Sequence, residues 1–293
     1  MQMFISVLVG GLVLGCTYGM LSMGYSLIYQ ASGYMNFTQA NLLMLGAFIA
    51  WQMYSIWKFP FVVSLITALL IMFCVGWMME RFIIRRLVAK KAKNVYVVLA
   101  TIALSIIAEN AALLIWGGRI NYFPSLYGNN DPIQIGSASV TKEQITCIIV
   151  ALCAMVILHL FLNRTKFGTS MRAAAQSKTA ASCMGINVNR TIGITYGIAA
   201  ALACLGGVLV APTMYVSYQL GNNLSAKSFA GAVIGGYGNI YGAIVGSLVI
   251  GLLETFVAGY VSSAYKEFIV YGVMILFMIF KPSGIFNAKV YDI

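Results

Sequence analysis

Apolar segments about as long as a bilayer is thick follow one another along almost the entire chain. A helix crosses the hydrocarbon core of a membrane with about 20 mostly apolar residues. Continuous candidates lie at 3–29, 61–79, 95–116, 144–162, 191–216, 240–261 and 267–280. Hydrophobic residues make up 61% of the chain and charged residues 9%, whereas a soluble domain has about 25% charged residues. The sequence therefore predicts an all-α, polytopic helical bundle. It excludes a disordered chain, a disulfide-stapled secreted module and a conventional nucleotide-binding domain.

Two further apolar segments are weaker. Residues 37–54 begin with polar side chains, and residues 224–238 are short and rich in Ala and Gly. Lipid tolerates interrupted helices only where the protein shields their open backbone groups. We therefore predict about eight or nine membrane segments, with these two as broken or re-entrant helices.

The basic residues give an orientation. The net charge is +11, and 13 of the 18 Lys and Arg residues lie in 81–93, 164–190 and the tail that begins at Lys281. Cytoplasmic loops of membrane proteins carry such an excess, and the hydropathy argues against nucleic acid as the reason for it. The stretch 117–142 has two basic residues and is expected to be an ordered external loop. This assignment predicts an external N-terminus and a cytoplasmic C-terminus.

Small residues recur at helical spacing in the first apolar segment, at Gly11, Gly15 and Gly19. This spacing lets helices approach closely in lipid. It is consistent with tight packing inside one chain and also with a subunit interface.

The basic stretch 163–190 is too polar to span a bilayer and rich in helix-forming residues. Thr169 or Ser170 can cap a helix, and Gly185 can supply its left-handed end. The spacing predicts a helix over about 170–184 that lies along the membrane surface. Its predicted apolar face carries Ala174, Ala181 and Met184. Such a helix is either an amphipathic connector that rests on the bilayer or a lever that docks into a partner protein.

Two carboxylates, Glu109 and Glu254, lie inside apolar segments. Charges in a membrane interior are costly and usually face other helices or a wet path. Each is therefore either an inter-helix hydrogen-bonding group or part of a translocation route.

The two interrupted segments are the other candidates for a route. A helix N-terminus at the first break, capped by Asn36, would direct free N–H groups at a solute carboxylate. Simple capping of a buried helix start explains the same residues. The glycines of the second break allow close backbone approach, and paired broken helices often flank a transport site. The candidates at the breaks are Asn36, Phe37, Thr38, Gln39, Asn41, Gly235 and Gly236.

Enzymatic chemistry has no evident basis here. The phosphate-binding pattern Gly-x-x-x-x-Gly-Lys-Ser/Thr does not occur in the sequence, and no nucleophile triad is recognisable. The single histidine, His159, has no clustered ligands around it, so no metal site is expected. The chain is expected to be a non-enzyme that binds no cofactor of its own. An ion-coupled secondary carrier remains an alternative, and a passive channel is a weaker one.

Four blocks in order resemble the permease subunits of bacterial branched-chain amino acid ABC importers, of the LivH type. They are GYSLIYQASGYMNFTQANLLMLGAF, FGTSMRAAAQSKTAASCMGINVNR, FAGAVIGGYGNIYGAIVGSLVIGLLE and KPSGIF. The resemblance runs over nearly the whole chain. It implies a single transmembrane permease domain over 1–293 in the bacterial inner membrane. Relatives that carry urea or short amides share this scaffold, so both solute classes stay open.

The resemblance also implies partners. These are a second related permease, two cytoplasmic ATPases that bind ATP and Mg²⁺, and an external solute-binding protein. The loop 163–190 then corresponds to the coupling segment that fits a groove in an ATPase. The coupling residues that it implies are Arg172, Gln176, Lys178, Ala180, Ala181, Met184 and Gly185. The resemblance favours the lever over the connector.

Overall fold

A computed structural model describes residues 2–125, 127, 133–135, 138–281 and 283–286. Its α-helices are α1 Gln2–Ser32, α2 Gln39–Trp51, α3 Phe61–Met79, α4 Arg85–Ala89, α5 Asn94–Trp116, α6 Lys142–Arg164, α7 Lys166–Gln176, α8 Lys178–Cys183, α9 Val188–Met214, α10 Leu220–Gly235, α11 Ile240–Tyr260 and α12 Lys266–Phe280. Single π-helical turns extend α2 over Gln52–Ile56 and join α3 to α4 over Glu80–Ile84. The prediction of a polytopic helical bundle is confirmed.

Six helices in the described part of the chain are long and apolar enough to cross a membrane. They are α1, α3 with its continuation through α4, α5, α6, α9 and α11. The seventh strong candidate, 267–280, is the 15-residue helix α12 and is shorter than a full span. The two weaker segments are the helices α2 and α10, which start at Gln39 and Leu220.

Contacts between helix ends show which of these ends lie together at the same end of the bundle. At the basic end, Lys178 Nζ donates to Ser32 O at the end of α1 (2.8 Å), and Arg85 Nη2 donates to Asn189 O in the first turn of α9 (2.8 Å). At the opposite end, Trp51 Nε1 donates to Tyr122 O (3.0 Å). The described chain thus runs between the ends nine times, through α1, α2, α3, α5, α6, α9, α10, α11 and α12.

The packing is reciprocal between the two halves of the chain. Helix α1 packs most extensively on α11, and α9 packs in the same way on α3. Helix α10 lies against α1 and α12, as α2 lies against α9 and α5. Because α1 and α9 run in opposite directions, the second half repeats part of this packing pattern with inverted direction. The sequence shows no convincing internal repeat, so this relation is visible only in the fold.

Glycines set the closest of these contacts. A Cβ built on Gly251 of α11 would overlap the backbone of Gly15 in α1 and lie 2.8 Å from Gly11 O. A Cβ built on Gly207 of α9 would likewise overlap the carbonyl oxygen of Leu43 in α2. The small-residue spacing in α1 therefore serves packing inside this chain.

The predicted surface helix over about 170–184 is wrong in its bounds. Thr165 caps α7, since its side chain accepts from Gly168 N (3.1 Å), whereas Thr169 and Ser170 lie within that helix. Ser177 then interrupts the helical stretch with an extended backbone (φ −157°), and its hydroxyl accepts from Ala180 N to cap α8. Two hydroxyl caps thus replace one helix by two.

The predicted apolar face of this segment is also only partly correct. Ala174 and Ala181 are buried, but Met184 is 83% exposed. The break at Ser177 turns α8 relative to α7, so the helical spacing does not carry across it. Gly185 has φ +81° and supplies the left-handed helix end as predicted.

The predicted external loop 117–142 contains a short antiparallel hairpin. Strand β1, Ile133–Ile135, pairs with β2, Ala138–Val140. Residues 126, 128–132, 136 and 137 of this loop lie outside the described residues, as does Lys289 in the basic tail.

The close approach of α1 and α11 predicts a specific stability loss. Replacing Gly251→Leu should lower the thermal unfolding temperature of the purified protein strongly, because overpacking costs about 1–3 kcal/mol and here meets backbone. Gly272→Leu in α12, where an added Cβ meets nothing within 4 Å, is the matched control. Equal unfolding temperatures for the two variants would contradict this packing.

Candidate translocation site and coupling segment

The first break lies between α1 and α2 and is fastened to α5. Thr38 Oγ1 donates to Thr101 O (2.8 Å), and Phe37 N donates to Thr101 Oγ1 (3.2 Å). Asn36 Oδ1 accepts from Thr38 N (3.1 Å). The side chain of Asn36 thus closes the turn before α2, while Thr38 occupies the N-cap position itself.

Gln39 and Asn41 cross from α2 to its neighbours. Gln39 Nε2 donates to Ala199 O in α9 (2.7 Å), and Asn41 Nδ2 donates to Ser105 O in α5 (2.8 Å). Both side chains are buried, and their amide oxygens have no hydrogen-bond partner among the described residues, as is also true of Asn36 Nδ2. Unpaired buried polar atoms are costly. These atoms are the interior groups that a water or a polar solute would satisfy.

The glycines of the second break contact the C-terminal segment. Gly236 has φ +107° and follows the last residue of α10, at the basic end of the bundle. Phe286 N donates to Gly235 O (3.2 Å), and Gly284 packs against Gly236. Gly235 and Gly236 therefore hold the C-terminal segment and are not brought together with Asn36–Asn41.

The start of α10 lies beside the start of α2 instead. A Cβ on Gly221 would overlap Asn41 Oδ1 and lie 2.9 Å from Ala40 O. Two helix N-termini, one from each half, thus meet inside the bundle. Each carries unpaired N–H groups and the positive end of a helix dipole. Such a meeting point favours an anionic group such as a carboxylate. Sequence reasoning missed Gly221, although the polar residues Asn222 and Asn223 before an apolar helix marked a possible start.

Glu109 of α5 lies next to the start of α10. Asn222 Nδ2 donates to Glu109 Oε2 (2.8 Å). Among the described residues, Glu109 takes part in no ion pair. Its carboxylate is therefore stabilised by a neutral amide.

Glu254 has a different environment. Tyr18 OH donates to Glu254 Oε2 (2.7 Å), and Lys227 Nζ donates to Glu254 Oε1 (2.6 Å), with all three residues buried. Lys266 and Glu267 extend this cluster, at 3.8 Å from Glu254 and 3.4 Å from Lys227. The inter-helix alternative for Glu254 matches this geometry, because the cluster joins α1, α10, α11 and α12.

Sequence reasoning missed Lys227. The signal was present, since Lys227 is a cation inside an apolar, glycine-rich segment. Such a residue requires a buried partner, and the sequence offers an acid, Glu254, in the next apolar segment.

Two cations of the coupling segment, Arg172 and Lys178, are hydrogen-bonded to residues outside α7 and α8. Arg172 Nη1 donates to Asn163 Oδ1 (2.7 Å), and Asn163 Nδ2 donates to Tyr241 OH (3.0 Å), which links α7 to α6 and α11. Lys178 is bound to Ser32 O, and its partial burial lowers its pKa below the usual lysine value. A cavity of about 330 Å³ lies between Arg172, Asn163 and Tyr241. The remaining coupling candidates divide by exposure, with Ala181 buried and Gln176, Ala180, Met184 and Gly185 exposed.

Comparisons with known proteins agree with this architecture. The family described as "Branched-chain amino acid transport system / permease component" matches residues 7–278. The high-affinity branched-chain amino acid transport system permease protein LivH of Escherichia coli K12 is 30% identical over 96% of this chain and 95% of its own length. The corresponding permease BraD of Pseudomonas aeruginosa is 29% identical over 96% and 95%. The ribose import permease RbsC of Bacillus subtilis is 32% identical over 44% of this chain and 42% of its own. No solved structure matched the chain.

The buried ion cluster predicts a large effect of removing one partner. Lys227→Met should lower the free energy of unfolding by roughly 3–5 kcal/mol, because it leaves the Glu254 carboxylate buried without its closest cation. The double variant Lys227→Met with Glu254→Gln should recover much of that loss.

The control is Glu267→Gln, whose side chain is 59% exposed. Exposed ion pairs contribute about 0–1 kcal/mol, so this change should be small. The free energy of unfolding is measured in detergent for the purified wild type and the three variants. A double variant no more stable than Lys227→Met would show that the pair does not act as a unit.

Proposed function

The chain belongs to the branched-chain amino acid transport system / permease component family, and from this we propose that it is the membrane permease subunit of an ABC importer. The proposed solute is a branched-chain amino acid or a similar small polar molecule, moved inward by alternating access. The observation that carries the proposal beyond the family is the meeting of the α2 and α10 N-termini inside the bundle. A zwitterionic solute has a carboxylate for these N-termini and an ammonium group for the nearby Glu109.

The route in this proposal uses two sets of groups. Asn36, Gln39 and Asn41 supply buried amides with unpaired atoms, and Glu109 supplies an anion at the start of α10. Thr38 and Phe37 hold the first break on α5, so they position α2. Glu254 is assigned to the ion cluster, and Gly235 and Gly236 to the attachment of the C-terminal segment.

The energy in this proposal comes from partner subunits. Two cytoplasmic ATPases bind ATP and Mg²⁺, a second related permease completes the membrane unit, and an external binding protein delivers the solute. The basic end of the bundle is then cytoplasmic, with the N-terminus external. The exposed residues of α7 and α8 contact an ATPase. The bonds from Lys178 to α1 and from Arg172 through Asn163 to α11 carry its motion to the two central helices.

Uptake by vesicles tests the function. Vesicles that contain the purified complex of this chain with its ATPases, second permease and binding protein should accumulate radiolabelled leucine only with ATP. ATP-dependent uptake of urea or a short amide instead would keep the class and change the solute. Uptake that follows an ion gradient without ATP would overturn the proposal in favour of a secondary carrier.

The coupling segment predicts a separable defect. Met184→Asp should reduce ATP-dependent uptake by about tenfold or more, since a charge would enter a docking contact at a cost of at least about 1.4 kcal/mol. The unfolding temperature should not change, because Met184 is 83% exposed. Lys91→Asp, an exposed change in the basic turn before α5, is the control and should keep uptake. Unchanged uptake in Met184→Asp would remove Met184 from the coupling contact.

A further inference from the structure

The cavity of about 330 Å³ at the basic end of the bundle has a polar, cationic wall. We call it the basic-end cavity. Arg172 of α7, Asn163 of α6 and Tyr241 of α11 belong to this wall. His159, one turn before Asn163, lies with its Nδ1 atom 2.7 Å from Tyr241 OH. The described residues that line the cavity include no acid. Arg172 therefore gives the cavity a positive charge.

Arg172 is a cation without an anionic partner in the described part of the chain. Its Nη1 donates to Asn163 Oδ1 (2.7 Å), whereas a guanidinium has five N–H donors in all. Both residues line the cavity, so an anion inside it can bind Arg172 while the bond to Asn163 stays. A guanidinium is well suited to such an anion when it is a phosphate, because the two form parallel hydrogen bonds.

The polar cluster lies at the level of a membrane interface. His159 is five residues before the end of α6 at Arg164, and Tyr241 is the second residue of α11. A helix rises about 1.5 Å per residue, so both side chains start within about 8 Å of the helix ends. The headgroup region on each side of a bilayer is about 5–8 Å thick. The cavity is therefore at the depth of lipid headgroups.

Exposed apolar side chains continue from the cluster toward the middle of the membrane. On α6 they are Leu152 and Val156, and on α11 they are Val245 and Val249. Each pair lies on the helix face of the polar residues at the same helix's end, by the spacing of three to four residues. Both helices pack on α1. The surface that α6 and α11 present to lipid is thus apolar along its length and cationic at the membrane boundary.

This arrangement matches an anionic phospholipid in both charge and length. Cationic pockets between membrane helices on the cytoplasmic side bind such headgroups. A zwitterionic lipid brings its own cation into the cavity and gains less from Arg172. A free phosphate would occupy the polar wall alone and would make no use of the apolar surface next to it.

We propose that the basic-end cavity binds the phosphate headgroup of an anionic phospholipid, with the acyl chains along the exposed faces of α6 and α11. Arg172 binds the phosphate, and its bond to Asn163 holds the guanidinium at the cavity. The bound lipid then lies against the bonds that link α7 to α6 and α11. The inference requires only that the chain lies in a membrane, and it is independent of the solute and of the ATPases.

Stabilisation by phosphatidylglycerol tests the site. The full chain, purified with the subunits that accompany it, is placed in nanodiscs of phosphatidylcholine with an increasing fraction of phosphatidylglycerol. The unfolding temperature should rise and then saturate, because a ligand that binds only the folded state stabilises it. Arg172→Gln should raise the half-saturating fraction at least about tenfold, since hydrogen bonds to a charged group are lost. An unfolding temperature independent of phosphatidylglycerol in the wild type would overturn the inference.

Arg164→Gln is the matched control. Arg164 is exposed at the end of α6 and is not among the residues that line the cavity. The change removes the same charge from the same end of the bundle, and the half-saturating fraction should change little, because salt screens a charge outside the cavity. An equal rise in Arg164→Gln and Arg172→Gln would show only a general attraction of the basic surface to anionic lipid, and it would overturn the site.

A second variant covers a folding defect. If Arg172→Gln is already less stable than the wild type in pure phosphatidylcholine, Tyr241→Phe takes its place, because it keeps the cation and removes only a hydroxyl of the cavity wall. Tyr241→Phe should raise the half-saturating fraction at least about twofold, as expected for one neutral hydrogen bond. No rise in Tyr241→Phe would then count against the site.

A photoactivatable phosphatidylglycerol with a diazirine in its acyl chain locates the lipid. Mass spectrometry should find adducts concentrated in peptides around Val156 of α6 and Val249 of α11. Excess unlabelled phosphatidylglycerol should displace them, whereas phosphatidylcholine and inorganic phosphate should not. Adducts spread equally over α3 and α5 would indicate bulk lipid and overturn the inference. Displacement by inorganic phosphate would assign the cavity to a free anion and overturn the lipid site.

Discussion

A lipid bilayer offers no hydrogen bonds to the backbone, and this constraint decides where the two interrupted helices of this protein can lie. Helices α2 and α10 both start within the bundle, so their first N–H groups must be shielded from lipid. Thr101 and Asn36 close the turn before α2, and Gly221 brings α10 against it. The long helix α9 packs against α2, and the long helices α1 and α11 pack against α10. Their close packing is what makes two open helix starts tolerable in a membrane.

The close packing of these helices depends first on glycines and then on buried polar groups. The Gly251 contact brings the backbones of α1 and α11 together, and the Gly207 contact does so for α9 and α2. The halves then differ in their polar links. Neutral bonds from Gln39 and Asn41 fix α2, whereas the ion pair of Lys227 with Glu254 fixes α10. A neutral link is easily exchanged for a bond to water or solute. The ion pair is costly to open, so we expect α2 to be the more mobile of the two interrupted helices during transport.

The sequence predicted the parts of this fold that depend on length and charge. Spans such as 95–116 are predictable because a bilayer demands about 20 apolar residues. The basic loops are predictable because Lys and Arg concentrate on the cytoplasmic side of a membrane protein. The meeting of α2 with α10 was not predicted, since it depends on which helices pack together. Lys227 was missed for a similar reason, because its partner Glu254 is distant in sequence. The break at Ser177 was not predicted because a serine hydroxyl can either cap a helix or lie within one. Only the fold decides which of these two roles Ser177 takes.

The arrangement of α7 and α8 bears on how a partner could recognise this chain. Arg172 and Lys178 are the cations that a sequence reading assigns to an ATPase contact, yet both are engaged with the bundle itself, at Asn163 and Ser32. Arg172 is nevertheless exposed, as are the neutral Gln176, Ala180 and Met184. An ion pair with an ATPase would first require the loss of an internal bond, whereas an apolar contact through Met184 requires none. We therefore expect Arg172 and Lys178 to transmit motion and the neutral residues to make the contact.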